Sequence, residues 1–166
     1  MDIQIDTYEQ RFLNGDMSGD LFSTLEGNCI ADSIRNKNFE RFEELCSKCK
    51  LNDQRNNHGD TLLIVAISKD DSFFLRELLE KGINVNSVDK ESSTALHYAA
   101  ANGCTESVKI LIEFWADPEI IDTYCDHAYT AYDYVKKSNG CKQIKILLEE
   151  YQNNIDELSI KGSVDE

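Results

Sequence analysis

The side chains able to do chemistry are few and scattered. Three histidines (His58, His97, His127) and six cysteines (Cys29, Cys46, Cys49, Cys104, Cys125, Cys141) are the whole stock of imidazoles and thiols in 166 residues. His97 has the ring nitrogens of a general base or a metal ligand. His58 and His127 fall in polar turn segments, and their spacing implies no second ligand. Cys46-Ser47-Lys48-Cys49 is a C-x-x-C pair. A tetrahedral zinc site needs four ligands, and the chain offers no second pair at matching distance. A redox role would want a βαβ setting, which the pattern does not give. The pair therefore reads as two thiols at a helix end, and the other reading is a thiol- or metal-switched sensor. There is no G-x-S-x-G, no Gly-rich phosphate loop and no H-E-x-x-H. The Asp and Glu residues read as surface charge. The expectation is a protein that is not an enzyme, with no cofactor, no bound metal and no small-molecule substrate.

The elements that position these residues repeat. Thr94-Ala95-Leu96-His97-Tyr98-Ala99-Ala100-Ala101-Asn102-Gly103 has a related stretch 33 residues earlier, Thr61-Leu62-Leu63-Ile64-Val65-Ala66. A third begins 36 residues later, Thr130-Ala131-Tyr132-Asp133-Tyr134-Val135. Each opens on a Thr, an N-cap type. Helical spacing then predicts a second helix in each unit: Phe74, Leu75, Leu78 and Leu79 inward, then Val108, Leu111 and Ile112, then Ile144, Leu147 and Leu148 over Lys142 to Tyr151. Residues 28–50 read as two short helices, with Ile30, Ala31 and Ile34 on one face and Phe39, Phe42 and Leu45 on the next. Gly82 suits a helix C′ position at positive φ. Trp115 stands at the same place one unit later; a Trp adopts that conformation only at a cost, so this helix end is expected to be rebuilt. Pro118 forbids helix beyond it.

The T-x-L-H-x-A-A-x-x-G run resembles the signature of ankyrin repeats. The resemblance covers about residues 28–151. It implies an all-α ankyrin solenoid of about four helix-turn-helix repeats, with hairpin loops projecting at about right angles to the helices. It also implies that partners lie along the concave surface of hairpins and first helices. In this family the motif His ties adjacent hairpin backbones together, which assigns His97 a structural task. Tyr98 and Tyr134 take the variable position that faces the groove, while Tyr124 and Tyr129 flank a third hairpin enlarged by three residues. The contact surface is therefore expected at Tyr98, Asn102, Tyr124, Asp126, His127, Tyr129 and Tyr134, because exposed aromatics on a variable surface are typical anchors. Cys104 and Cys141, each following a helix-turn Gly, are expected along one edge of the stack.

Charge bounds the partner. The net charge is −14, and it is concentrated in an acidic leader over 1–26 and an acidic tail over 152–166. The repeat domain is expected over 27–151, the leader to be partly disordered, and the tail to fray. An acidic surface repels nucleic acid and anionic membrane, and it speeds encounter with a basic protein surface. No apolar run approaches the roughly 18 residues of a membrane helix. The N-terminus carries no basic, apolar signal sequence. A cytoplasmic location, extending to the nucleus, follows, and reduced thiols fit it. The family resemblance extends to small acidic ankyrin proteins, among them kinase-regulating subunits and cyclin-dependent kinase inhibitors. The expected role is thus a non-catalytic regulatory subunit or inhibitor of a signalling or cell-cycle protein. The alternative is a shortened inhibitor of a Rel/NF-κB-type factor. Asp16-Met17-Ser18-Gly19-Asp20-Leu21-Phe22-Ser23 is similar to the D-S-G-x-x-S phosphodegron of such inhibitors, though Met17 interrupts it and the second Ser is one residue too far.

Overall fold

The computed structural model describes residues 25–48, 50–56, 59–68, 71–123, 128–137 and 141–162. The expected leader, apart from its last two residues, lies outside them, as does the degron-like stretch. Eight α-helices form four antiparallel pairs among the described residues. They are α1 (Leu25–Arg35), α2 (Phe39–Cys46), α3 (Leu62–Ser68), α4 (Ser72–Glu80), α5 (Ala95–Asn102), α6 (Thr105–Glu113), α7 (Ala131–Lys137) and α8 (Lys142–Gly162). First helices pack in the order α1, α3, α5, α7, and the second helices α4, α6 and α8 pack behind them. The expected all-α solenoid of four repeats is what the chain forms.

One elongated core runs through the stack. Ile30, Ile34, Phe42, Leu62, Leu75, Leu78, Leu96, Val108, Leu111 and Ile144 are all fully buried. Each such side chain contributes about 1.5–3 kcal/mol of burial. Ala66, Ala99, Ala100 and Ala131 are buried where first helices meet, and their small size sets the spacing. Thr61 and Thr130 cap their helices, accepting from the backbone of Ile64 and Asp133 at 3.2 and 3.3 Å.

Four expectations need correction. Trp115 is not avoided by a rebuilt helix end: it takes φ 61°, close to the φ 82° of Gly82. The two ends close with the same pair of bonds. Trp115 N–H reaches the Ile112 carbonyl and Ala116 N–H the Leu111 carbonyl, both at 3.0 Å. Gly82 and Ile83 bond Leu79 and Leu78 at 2.9 and 3.3 Å. This Schellman closure satisfies the last carbonyls, and an indole 69% exposed meets no clash outside the backbone. Phe39 does not share the burial of Phe42 and Leu45. It sits at the first turn of α2, partly exposed, edge-on to Phe73 at 5.2 Å. The closing helix continues past Tyr151 to Gly162, since no helix breaker intervenes. Finally, Asp71, Asp89 and Asp122 are not surface charge but buried. Asp71 caps α4, accepting from Phe74 N–H at 3.4 Å; the other two organise the hairpins.

Candidate partner-binding surface

The hairpins are built from a buried acid or amide every 33 residues: Asn56, Asp89 and Asp122. Asn56 Oδ1 accepts from Asp60 N–H at 2.8 Å. Asp89 Oδ1 accepts from the N–H groups of Glu91 and Ser93 at 2.9 and 2.8 Å. Asp122 Oδ1 accepts from Tyr129 N–H at 3.3 Å. Each side chain thus folds its own hairpin, as Asx residues do in turns. The fingers are also laced together. Thr123 donates its N–H and hydroxyl to the Glu91 carbonyl at 2.7 and 3.0 Å, and Ser93 Oγ donates to Asp122 Oδ2 at 3.3 Å.

His97 joins helix to finger. Thr94 N–H donates to Nδ1 at 3.1 Å, so the ring proton sits on Nε2, which donates to the Tyr129 carbonyl at 3.0 Å. Burial pushes the imidazole below its ordinary value, while Tyr129, Asp122 and Asp89 oppose that shift. Both nitrogens are committed to backbone. At the matching place in the last repeat, Asp133 accepts from the Thr130 N–H and hydroxyl at 3.1 and 2.9 Å.

The two groove tyrosines are held by these same acids. Tyr98 donates its hydroxyl to Asp89 Oδ2 at 2.8 Å, and Tyr134 donates to Asp122 Oδ2. Burial, together with Asp89, pushes the Tyr98 phenol above its usual range. The rings stay half-buried and line a groove of about 380 Å³ with Asp60, Glu91, Ser93, His97 and Ala101. The groove therefore spans two hairpins and two first helices.

Of the residues expected at the contact surface, Tyr98 and Tyr134 line this groove. Tyr129 lies half-buried beside it, its ring edge-on to Tyr134 at 5.8 Å. Asn102 is exposed at the last turn of α5, outside the groove lining. Tyr124, Asp126 and His127 lie outside the described residues, as do His58 and Cys49. Cys46 is buried, Cys29 and Cys104 are half-buried, and Cys141 is exposed with its sulfur 3.6 Å from the Thr105 hydroxyl. Among the described residues no group of three or more His, Cys, Asp or Glu is placed to hold a metal ion. Sequence reasoning passed over Asp60, Asp89, Glu91, Ser93, Ala101 and Asp122. The signal for Asp89 and Asp122 was present, since they recur at the same interval as the Thr residues.

A family model for ankyrin repeats in three copies matches residues 30–122 and again 86–159. The chain belongs to the ankyrin-repeat family. Ankyrin repeat domain-containing protein 63 of Mus musculus is 40% identical over 75 residues, 43% of this chain and 19% of that protein. Two fowlpox virus ankyrin repeat proteins are also similar. FPV244 is 35% identical over 99 residues, 59% of this chain and 14% of its own length. FPV014 is 30% identical over 135 residues, 78% of this chain and 28% of its own. The matched ankyrin segment therefore spans less than a third of each relative. Ankyrin repeats are protein-interaction modules, and the groove lies where the fold leaves side chains free to vary. Among the described residues no helix is long and apolar enough to cross a membrane.

Proposed function

We propose that this ankyrin domain works as a non-catalytic regulatory subunit or inhibitor of a signalling or cell-cycle protein such as a kinase. It does so by holding a basic surface of that protein against its concave face. The supporting observation is the groove itself. Its walls carry aromatic rings and the carboxylates of Asp60 and Glu91, and neither Lys nor Arg lines it. A net charge of −14 would draw a basic partner in and orient it. The approximate size and the ankyrin-only architecture are similar to Plutonium, an ankyrin subunit of a maternal cell-cycle kinase complex, which favours the kinase reading. The proposed location is the cytoplasm, extending to the nucleus.

Affinity purification of the full chain from its native cell tests this reading. Recovery of a protein kinase at stoichiometric yield, lost with Tyr98→Ala, supports it. A Rel-type factor in its place would replace the kinase reading with inhibition of transcription. Recovery unchanged by Tyr98→Ala would place the contact elsewhere.

A further inference from the structure

We infer that the groove between Tyr98 and Tyr134 is a receptor for one arginine side chain carried by an extended segment of the partner. The inference rests on the groove being the partner-binding surface, and it adds the chemistry of the residue recognised there. Four observations converge. First, the space is about 380 Å³, enough for one long side chain and the backbone on either side, and small for a folded element. Second, the rings of Tyr98 and Tyr134 form its walls, and their hydroxyls are tied to Asp89 and Asp122. Those bonds fix the rings and place a buried carboxylate behind each, so the groove presents π faces at negative potential. Third, Asp60 and Glu91 add carboxylates from successive hairpins. Fourth, the nearest hairpin cation, Lys90, does not line the groove. Its stem crosses the bare Cα of Gly59, where a built Cβ would lie 2.5 Å from Lys90 Cγ.

Aromatic faces and carboxylates together select a cation, and their shape selects guanidinium. A planar guanidinium stacks on a tyrosine face while its edge meets a carboxylate with two parallel N–H groups. An ammonium does the second with a single point charge and stays more strongly hydrated. Ala101 leaves room for the aliphatic stem, and the Ser93 hydroxyl is turned away toward Asp122.

The test is a titration of the isotope-labelled full chain with the blocked peptide acetyl-Gly-Arg-Gly-amide, followed by NMR. Counterparts carry lysine or citrulline, the latter matching arginine in shape without its charge. The expected result is saturable shifts at Glu91, Ser93, Tyr98 and Tyr134, with citrulline at least tenfold weaker and lysine in between. Asp60→Asn with Glu91→Gln should weaken the arginine peptide at least fivefold at an unchanged thermal midpoint, because both changes keep shape and an acceptor oxygen. Equal binding of arginine and citrulline overturns the inference, as do shifts confined to other surfaces or no saturable shift at all. The same charge-neutral double variant and Tyr98→Ala are then compared against the captured partner. Loss with Tyr98→Ala alone overturns arginine recognition and leaves the groove as the binding surface. Loss with neither overturns both.

Discussion

Gly82 and Trp115 are the same residue of consecutive repeats, 33 positions apart, and both hold the backbone at positive φ. Only one of them is suited to it. An L-residue with a Cβ in the left-handed region costs about 1–2 kcal/mol relative to its preferred conformations, and glycine escapes that penalty. The closing bonds are common to both helix ends, so the difference lies in the side chain alone. Trp115→Gly is expected to stabilise the fold by up to about 1 kcal/mol, raising the thermal midpoint by about 2–4 °C. Gly82→Ala should destabilise it by a similar amount, although nothing lies within 4 Å of the added Cβ. A calorimetric midpoint that moves the same way in both variants would show that φ is not the deciding factor.

The second helices differ at their N-caps. Asn38 and Asp71 accept from Arg41 and Phe74 N–H at 3.0 and 3.4 Å, whereas Cys104 makes no side-chain cap bond to α6. A thiol is a weak acceptor, so an exposed N–H of that first turn is left to solvent. Cys104→Ser keeps the shape and supplies an oxygen. It should add about 0.5–1 kcal/mol, read as a higher urea midpoint at unchanged m-value. A fall in midpoint would mean that the packing of the sulfur against the core outweighs the cap.

What could be read in advance followed from residues whose local chemistry and long-range task agree. Thr94, Ala99, Ala100 and Gly103 each announce their place: a cap oxygen, two small side chains at a helix contact, and a φ of 75° at the turn. Gly82 did the same. Trp115 was misjudged because local preference argued one way and the tertiary closure of the repeat another. Asp89 and Asp122 were taken for solvated charge because an acid in a polar turn is usually that. Their burial comes from the stacking of one finger on the next, a contact that no single stretch of sequence displays. The same stacking explains why the tyrosines of the groove were legible and their partners were not.

His97 sets a pH dependence. Its folded-state pKa lies below the ordinary value of about 6.5, chiefly because burial disfavours the imidazolium. The unfolded chain therefore takes up the proton first as pH falls. The stabilisation is complete above about 6.5 and is lost progressively toward the folded-state value. Urea midpoints should drop between pH 7.5 and pH 5.0. In His97→Gln the midpoint at pH 7.5 should fall by about 1–3 kcal/mol equivalent, because the Tyr129 carbonyl and Thr94 N–H lose their shared partner. Its further drop on acidification should be visibly shallower than that of the parent chain. Parallel pH profiles would assign the dependence to other groups.

Asp122 is the most interconnected acid of the hairpin ladder. It accepts from Tyr129 N–H, Ser93 Oγ and the Tyr134 hydroxyl, at zero exposure. Asp122→Ala strands three donors at once and is expected to cost about 2–4 kcal/mol, because unsatisfied buried polar groups carry their full desolvation penalty. Tyr134→Phe removes a single donor and leaves the carboxylate two others, so about 1–2 kcal/mol is expected. In the double variant the Tyr134 hydroxyl is gone before its acceptor is removed. The combined loss should therefore fall short of the sum by at least 0.5 kcal/mol on the order expected for directly bonded pairs. Additive losses would show that the hydroxyl and the carboxylate act separately. Because Tyr134→Phe retains the ring, partner binding should survive it wherever the variant remains folded, while Asp122→Ala should weaken binding by releasing both the ring and the third finger. A partner affinity that tracks the hydroxyl and not the ring would put the recognising group on the wrong atom.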